Sequence, residues 1–392
     1  MRTTANIVYT ICFMKQIYKL FCIGKKSFVS VLITALSTLP VRATGTIHVI
    51  DAEDSGPLMG VSVFSASGVI LGATDTDGAF SSARESDYPL TLKCMGYMPA
   101  ICQRTEGKVA LVPATMELDA VTVTPADRPV ARLVCYVREY TSAANTTDTI
   151  RFFAEHVGDF YYTTTKVKKF KAPDTFRPLV AKLYERITDN QGLDSVSSPE
   201  FNKNDFVWLD MLELPHRGLT ESENVRSAGT AYTDTIRGKY GLKSVARKTD
   251  KAYTLISDCL ADKKGHKMSP FLFKLLGMTL DITELQETWS FKANEDGIYN
   301  PSDILYGSLT MAVTGKGKWI RKAFNSATPI EMRGYFEIYP LRVEYLTPEE
   351  AREQVKGNPP AEKFERSPLA TPLPPATQEL VDRVSALKNN HH

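Results

Sequence analysis

The stretch Thr74-Asp75-Thr76-Asp77-Gly78 lies inside a region, Thr46 to Leu118, in which short apolar runs alternate with turn residues. An Asp side chain can accept hydrogen bonds from backbone N–H groups further along the chain, and Gly adopts the positive φ that closes a tight hairpin. Alternating apolar residues flank this turn, as half-buried strands require: Ile47, Val49, Val61, Val63 and, on the return strand, Phe80. The region therefore predicts a small β-sandwich.

The same Asp-x-Asp-Gly pattern occurs in calcium-binding EF-hand loops, but its spacing here is wrong. With Gly78 at loop position six, positions one and twelve are Ala73 and Arg84, which cannot supply the charged oxygen ligands. A hairpin turn is the better interpretation.

The order of landmarks in this region resembles the carboxypeptidase regulatory-like domain. These landmarks are Gly45-Thr46-Ile47, Pro57 to Val63, the hairpin and the bend at Gly96-Tyr97. The resemblance implies an Ig-like, transthyretin-like β-sandwich over residues 44–118, of a kind found at the front of many secreted and outer-membrane proteins. It implies a location in the cell envelope and does not imply any catalytic activity.

Residues 1–43 have the pattern of a secretory signal peptide. They contain six Lys or Arg and no Asp or Glu, and the apolar run from Ser27 to Leu39 is followed by Pro40. We predict cleavage between Ala43 and Thr44, with Met14 as an alternative start. The apolar run is too short for a membrane span, which needs about twenty residues. The mature protein would be exported to the periplasm or the outer-membrane periphery, with no transmembrane span.

Cleavage would change the charge balance. The whole chain has 47 basic and 45 acidic residues. Loss of the six basic residues of the signal leaves 41 against 45, a net charge of −4. This balance gives no support to nucleic-acid binding.

Four cysteines remain after cleavage, and Cys94 and Cys102 flank the Gly96-Tyr97 bend. In an oxidising compartment they are the best candidates for a disulfide. The alternative is that the cysteines are small buried hydrophobic residues.

The segment Val121-Thr122-Val123-Thr124 follows the sandwich, within a linker predicted at 119–128. It resembles the short segment that follows the same domain in TonB-dependent outer-membrane transporters. The remaining chain is too short for the plug and large barrel of such a transporter. A role as a docking segment for an outer-membrane transporter complex stays open.

Residues 129–357 predict a larger, antiparallel β-rich domain with a few helices. The spacing of Val130, Leu133, Val134 and Val137 predicts a helix over residues 128–145. Strands are predicted at Tyr162–Lys168, Leu179–Thr188, Leu285–Ala293, Leu305–Thr314, Lys318–Phe324 and Glu331–Tyr345.

The rest of the chain after residue 129 shows patterns that predict loops, helices and a linker. Proline and glycine interrupt residues 195–250, which predicts long loops of the kind that often carry binding sites. Thr347-Pro348-Glu349-Glu350 predicts a capped helix start. Residues 358–376 predict a stiff, Pro-rich linker, and residues 377–392 a short C-terminal helix.

Familiar catalytic patterns are absent from the sequence. It contains no His-Glu-x-x-His and no Gly-x-Ser-x-Gly, and its histidines are scattered. We therefore expect no catalytic residue, no cofactor and no metal, and a mainly β, non-catalytic envelope protein that binds, scaffolds or assembles an envelope protein or glycan partner. The alternatives are a hydrolase of peptides or glycans with its site in residues 195–250, and an accessory partner of a TonB-dependent transporter.

Overall fold

The fold is seen in a computed structural model of the chain. The structure describes residues 45–81, 83–103, 107–114, 128–144, 148–163, 170–173, 175–201, 219–220, 233–237, 242–249, 251–258, 278–295, 297–299, 301–317, 329–357 and 362–389. The predicted mainly β class is confirmed.

The N-terminal unit is a sandwich of two small sheets. Its strands are β1 (Ile47–Asp51), β2 (Ser62–Phe64), β3 (Ile70–Ala73), β4 (Ala79–Phe80), β5 (Leu90–Lys93), β6 (Ala100–Cys102) and β7 (Gly107–Leu111). One sheet has the order β4-β1-β7 and the other β3-β2-β5-β6. Alternate apolar residues of both sheets meet in one core, which includes Val49, Val63 and Leu92.

The hairpin turn forms as its sequence predicts. Asp75 Oδ1 accepts hydrogen bonds from the backbone N–H groups of Asp77 and Ala79, each at 2.9 Å. Gly78 has φ +68°, and a Cβ there would lie 2.4 Å from the backbone oxygen of Val49. Glycine is required at this position because the turn packs directly against β1.

Among the described residues, the second unit is built on a sheet of ten strands. The strands are β8 (Val130–Ala144), β9 (Asp148–Thr163), β10 (Arg177–Asp189), β11 (Asp194–Ser197), β13 (Thr233–Arg237), β14 (Leu242–Lys248), β15 (Ala252–Asp258), β16 (Met278–Lys292), β18 (Ile304–Gly317) and β19 (Ile330–Leu346). Their order is β11-β10-β9-β8-β19-β18-β16-β15-β14-β13, and neighbouring strands are antiparallel. The short strands β12 (Leu219–Thr220) and β17 (Ile298–Tyr299) pair separately.

The helix predicted over residues 128–145 is wrong, because Val130–Ala144 is the strand β8. It lies inside the sheet between β9 and β19 and is paired along its whole length. Both faces of the strand are covered, so apolar residues do not alternate along it and the intervals of three and four residues are a coincidence.

Several other predictions can be compared with the structure. Of the predicted strands, Leu179–Thr188, Leu285–Ala293, Leu305–Thr314 and Glu331–Tyr345 lie within β10, β16, β18 and β19, apart from Ala293, which follows β16. Tyr162–Lys168 and Lys318–Phe324 lie wholly or mainly outside the described residues. Within the predicted loop region 195–250, β13 and β14 are strands at one end of the large sheet.

Two helices close the chain. Helix α1 (Pro348–Lys356) begins with the predicted capping box, in which Thr347 and Glu350 each bond the backbone N–H of the other. Helix α2 (Pro375–Asn389) confirms the predicted C-terminal helix. Between them, the described part of the predicted Pro-rich linker packs on the large sheet, with Ser367 and Thr371 buried.

Candidate functional site

The large sheet has two faces of different chemistry. One face, here called the interface face, contacts the sandwich and the C-terminal segment (residues 362–389). It carries buried charged and tyrosine side chains at alternate positions of β8, β9 and β19: Arg132, Tyr136, Arg138, Tyr140, Glu155, Asp159, Tyr335, Glu337 and Tyr339. The opposite face, here called the apolar face, carries residues such as Leu133, Trp289, Met311 and Phe336.

A buried ion pair joins the sandwich to the sheet. Lys93, at the end of β5, places its Nζ 2.7 Å from Glu337 Oε1 on β19, and both side chains have zero exposure. Glu337 Oε2 also accepts hydrogen bonds from the hydroxyls of Tyr140 and Tyr339, each at 3.2 Å. Burial lowers the pKa of Lys93, and the adjacent Glu337 carboxylate opposes that decrease. Glu337 Oε2 is hydrogen-bonded, whereas the partner of Oε1 within the described residues is the Lys93 charge, without hydrogen-bond geometry. A buried charge requires such a partner.

The C-terminal segment completes this cluster. Lys93 Nζ donates to Thr371 Oγ1 at 2.6 Å, and Arg138 Nη1 donates to the backbone oxygen of Thr371 at 2.6 Å. Arg138 Nη1 lies 3.6 Å from Glu337 Oε2. We call Lys93, Arg138, Glu337 and Thr371 the interlock, because it connects the sandwich, the sheet and the C-terminal segment through direct polar contacts.

A second buried carboxylate binds the C-terminal segment beside the interlock. Glu155 accepts two hydrogen bonds from Arg366, from Nε and Nη2, each at 2.7 Å, and another from the Tyr136 hydroxyl. Burial would raise the pKa of Glu155, but the bonds from Arg366 and Tyr136 outweigh it and hold this pKa below its ordinary value. The bidentate geometry fixes the orientation of the segment on the sheet.

A third charged cluster lies further along the same face. Asp159 has zero exposure and pairs with Arg132 at 2.7 Å and with Arg177 at 2.8 Å. Arg132 also reaches Glu344 at 2.9 Å and Glu362, the first described residue of the C-terminal segment, at 2.7 Å. The described part of the segment is therefore in polar contact with the sheet from its first residue.

The sandwich also contacts the sheet at other places. Arg247 of β14 pairs with Asp51 and Asp54 of the sandwich, each at 2.5 Å. Phe64 packs edge-on against Tyr140, with ring centroids 5.5 Å apart. The sandwich contacts the sheet from β8 to β14, so its orientation is fixed at several separated points.

A buried polar pair lies on the apolar face. His156 Nε2 lies 3.2 Å from Glu139 Oε2, and both residues are almost fully buried. Glu155, the neighbour of His156 in sequence, points to the opposite face because successive strand residues alternate. Another histidine, His216, lies outside the described residues.

The disulfide predicted between Cys94 and Cys102 is wrong, because neither residue is in a disulfide in the structure. Cys102 pairs with Leu90 across β5 and β6, whereas Cys94 lies four residues further along. At roughly 3.3 Å per residue, this offset is far larger than the separation that a disulfide spans. The alternative, small apolar packing residues, fits better: Cys102 belongs to the sandwich core, and Cys94 is partly buried against it. Desolvation raises the pKa of Cys94 to about 12.

Other predicted positions lie outside the described residues. These are the cleavage site Ala43 and Thr44 and the docking segment Val121 to Thr124. Much of the region 195–250, where the hydrolase alternative would have its site, also lies outside them. Among the described residues, no group of three or more His, Cys, Asp or Glu could hold a metal ion. Within that same part of the chain, no helix is long and apolar enough to cross a membrane.

Comparisons with known proteins give little further guidance. No protein-family model matches the chain, and no curated protein matches it. One similar solved structure is described as "Lipid-protein interactions in lipovitellin". It is 9% identical, has a TM-score of 0.28, and the match covers 64% of this chain and 28% of that one. A likeness this weak carries no argument about function.

Sequence reasoning did not find the interlock. Its members are far apart in the chain, and each is an ordinary polar residue in its own segment. Each member lay in a stretch with a different structural prediction: Lys93 in the sandwich, Arg138 in a helix, Glu337 in a strand and Thr371 in a linker. None of those predictions brings the four residues together.

Proposed function

We propose that this chain is an exported, non-catalytic protein of the cell envelope that acts as a binding or scaffolding component. In this proposal the carboxypeptidase regulatory-like sandwich and the large sheet act as one rigid unit that presents a fixed surface to an envelope protein or glycan. The signal-like sequence of residues 1–43 supports the proposal that the protein is exported.

The observation that best supports a scaffolding role is the interlock. Lys93, Glu337 and Thr371 come from three separate segments and meet in a fully buried cluster. Burying charges is costly, and in some proteins it is retained because it specifies one arrangement. A protein that needs its two units in one relative orientation would benefit from such a cluster.

The experiment has two parts. Fractionation of the native host, with N-terminal sequencing of the mature protein, tests export: a soluble periplasmic species that begins at Thr44 is expected. Cross-linking followed by affinity purification of the full chain then tests binding, with wild type compared with Lys93→Met. We expect wild type to recover defined envelope partners and the variant to recover less of them. The substitution leaves the exposed surface unchanged, so a loss would come from the weaker attachment of the sandwich to the sheet.

The matched control is Arg342→Gln, which removes a half-exposed ion pair with Glu344 and Glu362 on the rim of the same sheet. Its partner recovery should equal that of wild type. Two results would contradict the proposal. One is a protein that remains in the cytoplasm. The other is turnover of a peptide or glycan that survives purification and is abolished by a single substitution.

A further inference from the structure

A small cavity lies where helix α2 begins, between the sandwich and strands β9 and β10. Its volume is about 20 Å³. A water molecule needs roughly 10–15 Å³ by the same measure, so the space suits one water or one monatomic ion. The cavity is lined by Ser67 and Gly68 of the sandwich and by Arg151 and Arg186 of the sheet. Ala376 and Thr377, at the start of helix α2, also line it.

Two arginines that line this cavity have unused donors. Arg151, whose side chain is 9% exposed, donates from Nη1 to the backbone oxygen of Ser67 at 2.6 Å and from Nη2 to the Thr188 hydroxyl. Arg186 contacts Asp194 and Glu379 through its terminal nitrogens. The Nε atoms of both arginines are buried, and within the described part of the chain neither has an acceptor. A buried N–H without an acceptor costs free energy that a bound acceptor would recover.

The charge around the cavity is unbalanced. Three arginines, Arg151, Arg186 and Arg383, face two carboxylates, Asp194 and Glu379, in one group of ion pairs. The group therefore has one excess positive charge. Burial and the neighbouring charge of Arg186 lower the pKa of Arg151 to about 10, in keeping with that excess.

The start of helix α2 adds to the positive potential. Ala376 and Thr377, in the first turn of this fifteen-residue helix, form part of the wall. The N-terminal end of a helix carries a partial positive charge that favours anions. Gly68, with φ +84°, lets the sandwich loop approach Ala376 so closely that a Cβ would lie 3.0 Å from the Ala376 Cβ.

We propose that this cavity binds a single chloride ion. One negative charge balances the excess, and a spherical ion accepts N–H bonds from both Arg151 and Arg186 without a directional requirement. Sulfate and phosphate have five heavy atoms and exceed the space. The bound ion would connect the sandwich loop, the sheet and helix α2, and would therefore stabilise the assembled protein.

The test uses the full mature chain and measures thermal unfolding in sodium chloride and in sodium gluconate at equal ionic strength. A ligand that binds only the folded state raises the melting temperature as its concentration rises. We expect a saturating increase with chloride and with bromide, and none with gluconate. In wild-type crystals grown in bromide, anomalous scattering should place an ion between Arg151 and Arg186.

Arg186→Met removes one of the two donors and should abolish the chloride-dependent increase. The matched control is Arg333→Met on β19, which removes an arginine of similar exposure that pairs with Glu284 and Glu331 elsewhere on the sheet. This control should retain the full increase. If Arg186→Met does not fold, the bromide position in wild type still decides the proposal.

Three results would overturn it. They are equal shifts in chloride and gluconate, a bromide ion only at other places or none, and a chloride shift that persists in folded Arg186→Met. A larger stabilisation by sulfate than by chloride would also contradict the size argument.

Discussion

Lys93 and Glu337 are the residues whose loss should matter most, because each is the charged partner of the other in a site with zero exposure. Lys93→Met leaves the Glu337 carboxylate buried without its ammonium partner, which typically costs about 3–5 kcal/mol. Urea unfolding followed by tyrosine and tryptophan fluorescence measures this loss as a decrease in the free energy of unfolding.

A double variant gives the internal control. Lys93→Met with Glu337→Leu removes both charges, so the double variant should lose less stability than the sum of the two single variants. Arg342→Gln, on the half-exposed rim, should cost no more than about 1 kcal/mol. Strict additivity of the two interlock variants would contradict the proposed coupling.

Glu155 should make stability depend on pH. Its folded-state pKa lies below the ordinary value of 4.5. The carboxylate therefore stabilises the fold above pH 4.5 and loses this contribution as the pH falls through the folded-state pKa. The difference in unfolding free energy between wild type and Glu155→Gln should be greatest near pH 7 and shrink below pH 4.5. A difference that is constant from pH 7 to pH 3 would contradict this.

Individual residues were predictable where their role is local. The Asp75 to Gly78 turn and the Thr347 cap form as expected because each bonds atoms within a few positions. The Cys94–Cys102 pairing failed because it depends on strand register across a bend. The interlock depends on how three segments pack, and a single sequence contains no signal of that packing.

At the scale of elements, strands with one solvent-exposed face or clear turn boundaries were predictable from sequence. The central strand β8 was not. Residues 130–140 are all buried, so β8 has no alternation of buried and exposed positions. Its β-branched and aromatic residues, such as Val134, Tyr136 and Tyr140, favour a strand. That propensity was the better guide, because β8 is paired along both edges and also has both of its faces buried.

Helix α2 provides a test with its own matched control. Leu380 is 3% exposed and packs against the sheet and the sandwich, whereas Leu387, two turns later, is 42% exposed. Leu380→Ala should therefore cost roughly 2–5 kcal/mol through lost contacts and the cavity left behind, and Leu387→Ala less than about 0.5 kcal/mol. Chemical unfolding of both variants compares them directly. Equal losses would mean that α2 does not dock as described.

At the scale of the whole molecule, the sequence predicted two β-rich units and their order, but not how they meet. The sandwich was expected to be followed by a linker, and the C-terminal stretch to be a stiff spacer. Instead both the sandwich and residues 362–389 contact the interface face. The charges at that face form ion pairs across segments, and the sequence shows only which residues carry charge.

This packing predicts that the two units unfold together. The sandwich has its own core, but Phe64, Ile70 and Lys93 contribute their side chains to contacts with the sheet. If those contacts couple the units strongly, calorimetry of the wild type should show one transition with equal calorimetric and van't Hoff enthalpies. Weakening them with Phe64→Ala and Lys93→Met together should separate the transitions, since each unit then depends on its own core. Ile101→Ser, at a position 48% exposed on the sandwich, should leave one transition. Two well-separated transitions in the wild type would show that the interlock does not unite the two units, and rigid presentation of a surface would then lose its physical basis.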